Sequence, residues 1–65
     1  MIRYLRVRIG GSPESVQELL DGLPGDHQAE DKGNNEYLVA TTDLNFLVFA
    51  IGNQGYGTVL GEETP

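Results

Sequence analysis

Residues 1–9 (MIRYLRVRI) alternate with a period of two, and across Gly10-Gly11-Ser12 the pattern changes to a helical one. A strand that turns so abruptly into a helix opens a β-α unit, because the helix must lay its apolar stripe back on the sheet that holds the strand. In the strand, Arg3, Leu5, Val7 and Ile9 point one way, and Ile2, Tyr4, Arg6 and Arg8 the other. Leu5, Val7 and Ile9 are therefore expected in the core, and Tyr4, Arg6 and Arg8 are expected to meet water or a partner. The helix start is well marked, with Ser12 as N-cap, Pro13 at the first helical position and Glu14 in the first turn. Val16, Leu19, Leu20 and Leu23 follow on one stripe, which Gly22 and Pro24-Gly25 end.

From Asp26 to Asp31 the chain is polar, and both a loop and a ragged edge strand fit it. Lys32-Gly33-Asn34-Asn35 predicts a tight turn, since Gly and Asn tolerate the positive φ of hairpin turns. Glu36–Thr41 (EYLVAT) predicts a strand. Residues 42–51 carry two patterns. As a helix they have Thr42 or Asp43 as N-cap, a stripe of Leu44, Leu47, Val48 and Ile51, and Gly52 at the C′ position. As a strand, FLVFAI has high β-propensity and suits burial on both faces. The signals at both ends favour the helix, with Phe46 and Phe49 at the margin of its stripe. A turn over Gly52–Gly57 and a short strand Thr58–Leu60 complete a single domain, 1–61, with 62–65 expected as a frayed tail.

The expected fold class is α+β: a small ferredoxin-like β-α-β-β-α-β sandwich, an antiparallel sheet with both helices on one face. The alternative is β-α-β-β-β with one helix. Right-handed crossovers put the first and third strands in the centre of the sheet. The face away from the helices is then open in either case, with Tyr4, Arg6 and Arg8 at its middle and Tyr37 as a second aromatic on the neighbouring strand.

At 65 residues the core is thin, since such a chain buries only about 60% of its unfolded surface. Cysteine is absent and His27 is the lone histidine, so disulfides, thiolate metal sites and a zinc centre are not expected, nor any other metal or cofactor. Dimerisation is the remaining common remedy, and a homodimer is expected. No apolar run is long enough for a membrane span, and no signal peptide is recognisable, which makes the cytoplasm the expected compartment. Of the four cations, Arg3, Arg6 and Arg8 lie in the first strand, whereas the rest of the chain sets Lys32 against ten carboxylates, for a net charge of −6. That balance disfavours nucleic acid and anionic lipid as partners.

Tyr4, Arg6 and Arg8 form the sharpest constellation. Aromatics and arginines on an open sheet are how RNA-recognition modules stack bases and hold phosphates. The same residues also suit a protein contact, or ion pairs with neighbouring strands or a second subunit. Asp26, His27, Glu30 and Asp31 do not follow the alternate-ligand spacing of a calcium loop, which lacks its glycine here. They read as a solvated acidic edge, able to imitate a phosphate backbone toward a basic partner. Gly52-Asn53-Gln54-Gly55-Tyr56-Gly57 precedes a strand, the wrong order for a dinucleotide fingerprint. Tyr56 reads equally as a core plug or as an exposed anchor. No nucleophile, base and orienter assemble from this inventory, so no enzyme is expected.

Gly10, Gly11 and Ser12, between strand and helix, could offer backbone N–H groups to an anion, although a sharp turn needs glycine anyway. With the loop Gly10–Pro13 and the closing Gly55-Tyr56-Gly57-Thr58-Val59-Leu60, the chain resembles ACT-type regulatory domains. The resemblance implies β-α-β-β-α-β topology, an amino-acid ligand beside the first loop and dimerisation. The acidic residue customary at the start of that loop is absent. The expected function is a non-enzymatic protein-interaction module: a small acidic inhibitor or adaptor, of the kind phages and mobile elements encode, docking on a protein partner. A ligand-sensing ACT-like domain and a single-strand nucleic-acid binder are the alternatives.

Overall fold

The computed structural model describes residues 1–64. The elements run β1 (Arg3–Arg8), α1 (Pro13–Asp21), β2 (His27–Gly33), β3 (Glu36–Thr41), α2 (Leu44–Val48) with a π-helical turn (Phe49–Asn53), and β4 (Thr58–Glu63). The strands form one sheet of order β2-β3-β1-β4, in which every neighbouring pair is antiparallel. The fold is thus α+β, with β1 and β3 central. Leu5, Val7 and Ile9 from β1, Tyr37 and Val39 from β3, Val16 and Leu20 from α1, and Leu47 and Ile51 from the α2 segment make one buried cluster. Both helices therefore cover the same face of the sheet. Each large aliphatic side chain so buried contributes about 1.5–3 kcal/mol by leaving water.

α1 begins as its sequence dictates. Ser12 Oγ accepts from Ser15 N at 3.1 Å, and Pro13 occupies the first turn, where an N–H would lack a partner anyway. Gln17, on the flank of the helix, fixes it to β2. Its Nε2 donates to His27 O and its Oε1 accepts from Ala29 N, both at 2.9 Å. These are two of the groups a further strand would bond, so one side chain blocks the start of that edge of the sheet.

Of the two readings open for Asp26–Asp31, the edge strand is the one formed. His27 and Ala29 face the core opposite Thr41 and Val39. His27 is buried, with Nε2 2.9 Å from Pro24 O and Nδ1 2.8 Å from Thr41 Oγ1. Its ring is a satisfied part of the core instead of a member of the acidic edge. The hairpin turn centres on Asn34 and Asn35, both at positive φ (55° and 64°), the conformation in which asparagine is the least strained non-glycine residue.

Residues 44–53 are helical, as the capping signals predict. Asp43 Oδ1 accepts from Phe46 N at 3.1 Å, and Leu47 N donates to Asp43 O. Two details differ. Val48, expected on the stripe, is exposed, and Ala50 is buried beside Ile51. The wider π turn after Val48 rotates the following residues and so brings Ala50 inward. The helix also does not stop at Gly52. It runs on to Asn53, and the left-handed residue after it is Gly55 (φ +81°).

The last strand is longer than expected, and Glu62 and Glu63 belong to it instead of to a frayed tail. The physical reason lies far away in sequence. Arg3 donates twice to Glu62, at 2.7 Å each, and Arg6 forks onto Glu63, which holds the end of β4 against β1. Pro65, also assigned to that tail, lies outside the described residues. Gly57, by contrast, meets a constraint of space: a Cβ there would collide with Arg8 O and the Ile9 side chain. Gly57→Ala is therefore expected to cost about 1–3 kcal/mol, the scale of overpacking. Gly10→Ala, where a Cβ meets nothing within 4 Å, should stay within about 1 kcal/mol. Chemical denaturation of both variants checks the contrast, and an equal effect would contradict this packing.

Candidate functional site

Because Leu5, Val7 and Ile9 point into the core, strand alternation sends Tyr4, Arg6 and Arg8 to the face that the helices leave uncovered. The register sets their neighbours in rows. Tyr4 lies between Ala40 and Glu63, Arg6 between Leu38 and Gly61, and Arg8 between Glu36 and Thr58. Tyr4 and Arg6 are half-buried and Arg8 is exposed. Three of the four expected docking residues are thus together.

Tyr37 is not with them. It pairs with Val7, and antiparallel partners share a face, so its ring lies in the core at 2% exposure. Burial first, then the nearby carboxylates of Asp31 and Glu14, raises its pKa above the ordinary 10.0. A second stacking platform on the open face is therefore missing. Leu38 and Ala40 stand where it was expected.

The arginines are engaged within the chain. Arg6 Nε and Nη2 fork onto the Glu63 carboxylate, the second contact at 3.2 Å, and Arg6 Nη1 reaches Glu36 at 3.4 Å. Arg8 Nη2 takes the other oxygen of Glu36 at 3.1 Å. Glu36 so bridges both guanidiniums, and a phosphate could bind them only by displacing two carboxylates. The remaining cations are spoken for as well, Arg3 by Glu62 and Lys32 by Glu30.

Four carboxylates thus neutralise all four cations among the described residues. The net charge of −6 resides in the other six: Glu14, Glu18, Asp21, Asp26, Asp31 and Asp43. Three lie on α1, which packs on β2; Asp31 lies on β2 itself; Asp26 bonds through its backbone to Thr42, beside Asp43. The acidic surface therefore follows one edge of the molecule, and the open face is electrically balanced.

The loop residues Gly10, Gly11 and Ser12 serve the helix start. Ser12 Oγ is occupied by Ser15 N, Ser12 O accepts from Val16 N and the Ser15 hydroxyl, and Glu14 puts a carboxylate in the first turn. No cavity and no group of three metal-ligating side chains occurs among the described residues. No helix is long and apolar enough to cross a membrane. Comparison with protein-family models, with curated proteins and with solved structures found no match.

The ion pairs carry a pH dependence. Hydrogen bonds from Arg3 hold the Glu62 carboxyl below its ordinary 4.5, and hydrogen bonds from Arg6 do the same for Glu63, against a smaller opposing effect of desolvation. A pKa lowered on folding favours the folded chain at pH above the unfolded value, and that contribution is lost as pH falls through the folded one. Melting temperature should accordingly drop on acidification below the ordinary glutamate range. Replacing Arg3 and Arg6 together by Gln should lower it at neutral pH and flatten the acid limb. An unchanged limb would show that the pairs add nothing to stability.

Proposed function

We propose that this chain is a non-enzymatic interaction protein, a small acidic inhibitor or adaptor that acts in the cytoplasm by docking the open face of its sheet on a protein partner. The observation that carries this reading is the composition of that face. Leu38, Ala40, Tyr4 and Leu60 supply apolar area between arginines already fixed by Glu36 and Glu63. Tyr and Arg are the residue types that dominate interface energetics, and an arginine ordered before contact loses less side-chain entropy on binding. The balanced charge of the face lets it be covered without burying an unpaired ion. The acidic edge supports a partner of basic character, since unpaired carboxylates steer association over distances comparable with the Debye length.

The test is a partner captured on the immobilised chain and then titrated against variants. Tyr4→Ala and Arg8→Ala should each weaken its binding about tenfold or more, as hot-spot truncations do. Their unfolding curves should stay close to that of the parent. Raising salt should slow association without abolishing it. Free amino acids should leave the melting temperature unchanged, and oligonucleotides should not bind. Capture unaffected by both substitutions would overturn the assignment of the face, and a thermal shift with an amino acid would favour a ligand-sensing domain instead.

A further inference from the structure

The two edges of the sheet are built differently. At β2 the outward C=O of His27 and the outward N–H of Ala29 are bonded by Gln17, and α1 packs alongside. These are the devices by which proteins close a strand edge to other chains.

At β4 they are largely missing. Ile9 N donates to Asn35 O on the β3 side, so alternation turns residues 4, 6 and 8 of β1 toward β4. Their partners Thr58, Gly61 and Glu63 then face β1, and Val59 and Glu62 present N–H and C=O outward. No backbone or side-chain group among the described residues bonds those outward positions. Apart from one bulge at Leu60, the segment TVLGEE has no lysine, proline or capping side chain.

Charge and apolar exposure divide in the same sense. The unpaired carboxylates border β2. Against β4 packs the π turn that begins with Phe49, and Gly52 of that turn stands over the Val59 side chain. Phe49, Tyr56 and Leu60, at 48%, 41% and 41% exposure, are exposed apolar side chains of β4 and of the segment that leads into it. The only carboxylates of β4, Glu62 and Glu63, are both held by arginines.

We infer that β4 is the dimerisation edge: a second copy of this chain pairs its own β4 antiparallel to it, joining the two sheets into one of eight strands. A molecule with this net charge repels its like, except where its surface is neutral, and the β4 edge is the neutral one. The occupant is a second copy because antiparallel pairing about a two-fold axis is self-complementary. With Leu60 opposite Gly61 of the second copy, Val59 meets Glu62 of that copy, so each outward N–H finds an outward C=O. The acidic end of each strand then lies beside the Thr58 end of the other, where exposed Arg8 stands one strand in. This inference does not rest on the docking reading: it uses the backbone groups of the edge, and docking uses the face. Leu60 borders both, and the two separate because Tyr4→Ala and Arg8→Ala act on docking alone.

Sedimentation of the full chain at tens of micromolar should give twice the monomer mass. Leu60→Lys, which places a charge on the edge and removes no buried side chain, should weaken the dimer about tenfold or more. Gln28→Lys, on the capped β2 strand, should not. The chain has no cysteine, so Leu60→Cys supplies a single thiol near the two-fold axis. It should cross-link to a covalent dimer on mild oxidation, whereas Gln28→Cys should not. A monomeric parent chain overturns the inference. So does a dimer that Leu60→Lys leaves intact, or one in which the thiol at position 60 fails to cross-link.

Discussion

β1 is the strand on which the rest of the molecule depends, because its two faces do two different jobs. Inward, Leu5, Val7 and Ile9 are the floor on which both helices rest. Outward and at its start, Arg3, Arg6 and Arg8 grip carboxylates of the strands on either side: Glu36 on β3, and Glu62 and Glu63 on β4. The ion pairs are half-exposed, and each by itself adds little in water. Their effect here is positional. They set where β4 ends, and those of Arg6 and Arg8 hold the side of the sheet that no helix covers.

The same positional effect appears in the polar groups of the core. His27 and Thr41 are the buried polar side chains, and they satisfy each other. Thr41 also accepts from Asp43 N at 3.0 Å, which joins the end of β3 to the cap of α2. A leucine pair in their place would bury more apolar area but would leave Pro24 O and Asp43 N without these partners. Buried acceptors and donors left unpaired cost about 1–3 kcal/mol each. The network therefore fixes both the β2 register and the start of the second helix.

Local patterns made most of this fold legible. The strand-to-helix switch at Gly10–Ser12, the Asn34-Asn35 turn and the Asp43 cap are written in neighbouring residues, and each formed as its chemistry requires. What escaped depended on register or on distant partners. In EYLVAT both alternating sets contain apolar residues, so the pattern alone does not say whether Tyr37 or Leu38 turns inward; pairing with Val7 decides it. The period-two signal for His27 was present, since His27 and Ala29 oppose Thr41 and Val39, but it was masked by acids on either side. The Glu62 and Glu63 pairs close over nearly the whole chain. The π turn after Val48 has no sequence signature of its own.

The candidate surface was legible in part for the same reason. Placing Tyr4, Arg6 and Arg8 on one face needed only alternation. Knowing that the arginines were engaged needed the sheet order, which brings β3 and β4 to either side of β1. That order changes what the charges mean. Read along the chain, three arginines in the first strand look like a basic patch. In the folded molecule they are the neutral part of the surface, and the net charge is what remains after they have been matched. A surface whose charges are already paired is suited to being covered, because nothing in it needs water or a counter-ion. The unmatched carboxylates at the opposite edge of the sheet keep that edge in solvent and leave the open face and the β4 edge as the surfaces free for contact.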